Sequence, residues 1–183
     1  MDYFDNYVNK LTATIADIDL SLVTLLRQWL VEARDSAATI YTCGNGGSAA
    51  TASHFATDLG KGASYGKDQR FRVNALTDSF STVSAYSNDV GYEVVFEEQL
   101  RNGLSANDLV IAISGSGNSE NVIRALTYAN SQGSRSVAFT GRDGGKLGSV
   151  AQLHINVPEQ HMGRIEDAHM ALCHMLAFSF IDQ

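Results

Sequence analysis

Proline is almost absent from this chain. Its 183 residues include one proline, one tryptophan and two cysteines. The two cysteines, Cys43 and Cys173, lie far apart in apolar surroundings. That argues against a disulfide framework and fits free buried thiols in a reducing cytosol. Positive charge is also scarce. Thirteen Lys and Arg against twenty Asp and Glu leave a net charge of -7. This argues against a general nucleic-acid binder, which needs clustered basic residues for phosphate contacts. No apolar run reaches the ~18 residues that suit a bilayer span. The opening Met1-Asp2-Tyr3-Phe4-Asp5 lacks the basic and apolar regions of a signal peptide. A cytoplasmic location is the expectation.

What remains is a globular balance, 44% apolar and 18% charged. The length fits one domain that buries a core without metal or disulfide staples. Residues 2 to about 33 hold neither Gly nor Pro. Leu11, Ile15, Ile18, Leu22, Leu25, Leu26 and Leu30 recur there mostly at three- and four-residue spacing. The spacing predicts one long amphipathic helix, which packs either within the chain or against another subunit. A short apolar run, 38–43, ends in Gly44-Asn45-Gly46-Gly47-Ser48 and leads into a helical stretch, 49–59. Further strands are predicted at 71–76, 108–113, 136–140 and 153–157, and helices at 79–88, 92–101, 120–131 and 164–181. Strands alternating with helices imply βαβ units and a mostly parallel sheet with helices on both faces. Pro158 follows the last strand, where it can end the sheet without breaking a helix.

Ligands of open α/β sheets bind beyond the carboxyl ends of the strands. Two Gly/Ser turns fall there. In the first, Gly46 and Gly47 let the backbone approach a ligand, and the helix start that follows favours anions. The second, Ser114-Gly115-Ser116-Gly117-Asn118-Ser119, adds three hydroxyls that donate to phosphate oxygens. Together they read as a phosphate cradle without a lysine. The P-loop pattern is missing, which argues against nucleoside triphosphate hydrolysis. Ordinary βα turns are also rich in Gly and Ser. Two in register favour the cradle.

His54 and Asp58 stand four apart and share a helix face. Glu166 and His174 stand eight apart on the final helix and point in similar directions. Burying such groups unpaired is costly. They fit acid-base chemistry, a tetrahedral zinc site, or a hydrogen-bonded core or interface. His169 lies about 140° round the helix from His174 and takes a minor role, although Glu166-x-x-His169 is itself a ligand spacing. His154 and His161 read as surface or structural residues.

The motif set is Gly44-Asn45-Gly46-Gly47-Ser48-Ala49-Ala50, His54-Phe55-Ala56, Asn88-Asp89-x-Gly91-Tyr92, Ser114-x-Ser116-Gly117-Asn118-Ser119-x-Asn121, Thr140-Gly141-x-Asp143-Gly144-Gly145 and Arg164-Ile165-Glu166-Asp167-x-His169 with His174. It resembles the bacterial phosphoheptose isomerases of the SIS (sugar isomerase) family over nearly the whole chain. The resemblance implies an α/β fold: a single SIS domain over 1–183 with a five-stranded parallel sheet flanked by helices, a flavodoxin-like three-layer sandwich. It also implies a homotetramer with sites between subunits, in which 1–34 is an oligomerisation helix. Ser114, Ser116 and Ser119 would hold the phosphate. Asn45, Gly46, Gly47 and Ser48 would line the sugar with Asn88, Asp89 and Glu166. Many members carry Zn²⁺, here on His54, Asp58, Glu166 and His174. Asp58 stands where the family usually has Glu, Glu166 where it has Gln, Gly115 where it has Thr, and Gly163 where it has an acidic residue.

The implied activity interconverts ketose and aldose heptose 7-phosphates through an enediol. Asp58 is expected as base and His174 as acid, a pair whose roles could be exchanged, with Glu166 as ligand or orienter. The alternatives are a non-catalytic binder of the type that associates with a bacterial replication initiator, an isomerase of another sugar phosphate, and a regulatory sensor. The first lacks a histidine at the His174 position, and sensors usually come fused to a DNA-binding module.

Overall fold

The computed structural model describes residues 2–182. Five strands, β1 (Thr39–Gly44), β2 (Arg72–Ala75), β3 (Leu109–Ser114), β4 (Arg135–Gly141) and β5 (Leu153–Val157), form one sheet in the order β2-β1-β3-β4-β5. Every pairing is parallel. This is the flavodoxin-like order, with a switch point between β1 and β3. All six residues of β3 are buried, as a central strand covered on both faces requires. Its side chains alternate. Leu109, Ile111 and Ile113 enter one core with Ile40, Phe139, Phe55 and Leu172. Val110 and Ala112 enter the other with Cys43, Phe96, Leu126 and Leu147.

The first core is covered by α2 (Leu20–Asp35), α3 (Gly47–Thr57) and α8 (Met162–Ile181). The second is covered by α5 (Val95–Arg101), α6 (Glu120–Ser131) and α7 (Gly145–Val150). A single 3-10 turn, Tyr92–Val94, precedes α5. The helix α4 (Phe80–Asp89) differs from all of these, since none of its residues is buried. No described helix is long and apolar enough to cross a membrane.

The single N-terminal helix expected from 2 to about 33 is two helices, α1 (Tyr3–Ala16) and α2. The break falls at Asp17-Ile18-Asp19. Asp19 caps α2 by accepting from the Ser21 N–H at 2.9 Å and the Ser21 hydroxyl at 2.6 Å. Ile18, only 4% exposed, enters the core at the corner. The helix α1 lies against α8. Tyr7 Oη donates to Asp167 Oδ2 at 2.6 Å. That bond, with burial behind it, pushes the phenol up to about 12. Nearby, Arg164 Nε donates to Glu159 Oε2 at 2.6 Å and holds the Glu159 carboxyl down to about 2.

Candidate active site

The second Gly/Ser turn links β3 to α6, and backbone contacts brace it. Gly117 has φ +64°, and a side chain there would collide with the Gly144 carbonyl. Leu147 N–H donates to Gly117 O at 2.8 Å, and Lys146 N–H to Asn118 Oδ1 at 3.2 Å. The turn therefore rests on the start of α7, a six-residue helix with two glycines that hydrophobic spacing does not reveal. Inside the turn, Ser114 Oγ donates to Ser119 Oγ at 3.3 Å, and Asn118 N–H to Ser116 Oγ at 3.2 Å.

The two turns face one cavity of about 260 Å³. Asn45, Gly46, Gly47 and Ser48 line one side, Ser114, Ser116 and Ser119 the other, and Glu166 closes it from α8. Asn45 and Asn121 exchange side-chain amide bonds of 2.9 and 3.0 Å. Tyr92 Oη also donates to Asn45 Oδ1, at 2.7 Å. Asn121 and Tyr92 thus fix the first turn, a role that their place in the motifs does not disclose. Met162 joins the wall. A side chain at Gly115 would meet its sulfur, so a glycine there makes room for Met162.

Asn88 and Asp89 lie elsewhere. Asn88 Nδ2 donates to Asp89 Oδ1 at 2.8 Å on the surface. Asp89 lines a separate cavity of about 420 Å³ on α4. That cavity is the larger of the two and carries the hydroxyls of Ser81, Thr82 and Tyr86, but it is lined by α4 and the adjoining Val90 alone, with no glycine turn and no imidazole among its described residues.

A second constellation sits further along α3 and α8. The α-helix α3 passes into a π-turn over Asp58–Gly62, a feature frequent at functional sites. His54 Nε2 approaches Asp58 Oδ2 at 3.3 Å, and His174 Nε2 approaches it at 3.8 Å. The two Nε2 atoms are 3.4 Å apart. Both imidazoles are half exposed, whereas the Asp58 side chain is 18% exposed. Its Oδ2 is buried with no hydrogen-bond partner among the described residues. An orphaned carboxylate oxygen facing two imidazole nitrogens, all within 4.8 Å of one another, fits a divalent cation. Cys173 supplies no ligand of this kind. Its thiol is fully buried and pushed well above its ordinary value, by burial first and Asp58 second.

Three of the four expected ligands are therefore gathered, His54, Asp58 and His174. Glu166 is not among them. Its carboxylate lies against Gly47, where any side chain would displace it. His169 is wholly buried and donates from Nε2 to the Thr140 carbonyl at 3.0 Å, tying α8 to the end of β4. Burial holds it neutral, down to about 4, and its Nδ1 has no partner among the described residues. His154 Nε2 bonds Thr140 Oγ1 at 2.6 Å within the fold.

Two glycine turns at the strand ends, facing one cavity, are matched by family-level similarity. The family model described as "SIS domain" matches residues 2–141. The chain belongs to the SIS domain family. It is 38% identical to a phosphoheptose isomerase of Aquifex aeolicus over 178 residues, which is 92% of each chain. It is 36% identical to a probable phosphoheptose isomerase of Thermoplasma volcanium, over all of this chain and 91% of that one. Among solved structures, phosphoheptose isomerase GmhA from Neisseria gonorrhoeae superposes with a TM-score of 0.89 at 30% identity. That match covers 99% of this SIS chain and 96% of the other. A Francisella tularensis phosphoheptose isomerase shares the fold with the same TM-score at 23% identity. The five-stranded parallel sandwich implied by the motifs is the architecture observed.

Proposed function

We propose that this protein is an aldose-ketose isomerase converting sedoheptulose 7-phosphate to D-glycero-D-manno-heptose 7-phosphate through an enediol. The observation that carries this reading is the placement of the serine cavity and the His/Asp cluster on the same two helices. Gly47 and Glu166 mark the cavity, and His54 and His174 the cluster. At 1.5 Å per residue these levels are about 10 Å apart on α3 and about 12 Å apart on α8. An extended chain advances about 3.5 Å per three bonds. The eight bonds from phosphorus to C1 of an open heptose phosphate thus span about 9 Å by the same measure. Relatives named phosphoheptose isomerase over most of the chain support the same substrate.

In this reading Ser114, Ser116 and Ser119 hold the phosphate, helped by the N-terminus of α6. Asn45, Gly46, Gly47, Ser48 and Glu166 line the sugar. Anchoring the phosphate supplies binding energy remote from the reacting carbons. Asp58 takes the proton from the carbon beside the carbonyl, and His174 returns one to its neighbour. With Asp58 Oδ2 and His174 Nε2 turned to one another, Asp58 has Oδ1 and His174 its Nδ1–H for those transfers. Two imidazoles and a carboxylate suit zinc, which His54, Asp58 and His174 would hold. When bound, it would supply positive charge that polarises the substrate carbonyl. Glu166 would take part only by leaving its place against Gly47.

The same reading has the protein act in the cytoplasm as a homotetramer, with 1–34 in the assembly and Asn88 and Asp89 serving a neighbouring copy's site. What supports a neighbouring copy at Asn88 and Asp89 is α4, which has no buried residue and carries Phe80 at 82% exposure. The test is incubation with sedoheptulose 7-phosphate, with and without chelator, followed by NMR. Aldose formation that chelation stops and zinc restores is expected. No conversion with zinc supplied would overturn the assignment.

A further inference from the structure

We infer that Glu166 is a specificity residue: it reserves this cavity for phosphomonoesters whose carbon chain is otherwise uncharged, and rejects phosphorylated sugar acids. The inference rests on the sugar-phosphate reading above. The Glu166 carboxylate faces the same cavity as the three serines. Among the described residues no lysine, arginine or histidine lines that cavity, so Glu166 is its only ionisable group. Its oxygens lie beside Gly47 at the first turn of α3. A carboxylate is favoured there by the helix dipole, which holds it on the wall without an ion pair.

Two consequences follow from charge alone. A neutral carbon chain presents hydroxyl donors, and a carboxylate is an acceptor with capacity for several of them. A ligand carrying a carboxylate beside its phosphate presents a second anion instead. In a cavity that offers no counter-charge, like charges brought together are costly. The serine turn accepts one anion because its donors are hydroxyls and backbone N–H groups. The Glu166 wall refuses another.

The probes are glycerol 3-phosphate and 3-phosphoglycerate, which share a three-carbon chain and differ by one carboxylate. Their affinities are measured by calorimetry at neutral pH on the full chain and on Glu166→Gln and Glu166→Asp. Wild-type protein is expected to prefer glycerol 3-phosphate by about tenfold or more. Glu166→Gln should bring the two within about threefold, chiefly by tightening 3-phosphoglycerate, and Glu166→Asp should restore the preference. An unchanged ratio in Glu166→Gln would overturn the inference, because a merely structural role does not distinguish the ligands by charge. If wild-type protein binds neither, the sugar-phosphate reading falls and takes this inference with it. Binding of both with equal affinity would sink the inference alone.

Discussion

The serine cavity and the His/Asp cluster are built in opposite ways. The cavity is made by the backbone. Its turns end strands of a buried sheet, and Gly117 is locked against the start of α7 by main-chain bonds. Two of its hydroxyls, Ser114 and Ser119, already bond one another, and that of Ser116 accepts from the Asn118 N–H. The cluster is made by side chains alone, on the half-exposed edge where α3 loosens into a π-turn. There an Asp58 oxygen stays without a hydrogen bond. The contrast teaches a division of labour. Under the proposed function, the fold finishes the end that would bind the phosphate and leaves an unsatisfied carboxylate oxygen at the end that would react, where a cation or a substrate would complete it.

The sharpest break in that comparison comes from the cluster. Asp58→Asn or His174→Ala should lower kcat by about 10²- to 10⁴-fold. Far-UV circular dichroism and the melting temperature should stay near wild type, because both imidazoles are half exposed and the sheet does not depend on them. A melting point far below wild type would make the cluster structural. Next comes the cavity. Ser116→Ala or Ser119→Ala removes a donor to a charged phosphate, a contact of roughly 1.5–3 kcal/mol. The expected loss is about tenfold to a hundredfold in kcat/KM, read from initial rates. Inorganic phosphate should inhibit such variants more weakly by a similar factor. A pure kcat effect with unchanged phosphate inhibition would remove the phosphate from the serine turn.

The smallest effect concerns the helix that joins the two regions. His169 is held neutral down to about 4, against an ordinary 6.5. Between those values the unfolded chain binds a proton that the folded chain does not. The stability from this group is therefore present above pH 6.5 and falls as pH drops toward 4. Urea titrations across that window should show a decline that His169→Gln flattens. An identical decline in the variant would assign the acid sensitivity elsewhere.

The sheet could be read in advance because its strands are short apolar runs and its turns carry Gly and Ser, so period and punctuation agree. The corner at Asp17-Ile18-Asp19 could not be read from the apolar spacing, which continues through it. Its only local mark is Asp19 two residues before Ser21, a capping pattern. The π-turn and α7 left no periodic trace, being five and six residues long. At the site, spacing put Glu166 and His174 on nearby directions of one helix. It said nothing of which level of α3 each would meet. Packing α8 alongside α3 sets Glu166 at Gly47 and His174 at His54 and Asp58. Asn121 and Tyr92 needed the folded chain to reveal that they hold Asn45.

The most direct test is the reaction in D₂O with sedoheptulose 7-phosphate, comparing wild-type protein with Asp58→Asn. Proton transfer through an enediol at the cluster predicts one solvent deuteron at C2 of the aldose from wild-type protein, and neither product nor label from the variant. Aldose formed without deuterium, or labelled equally by Asp58→Asn, would contradict the account.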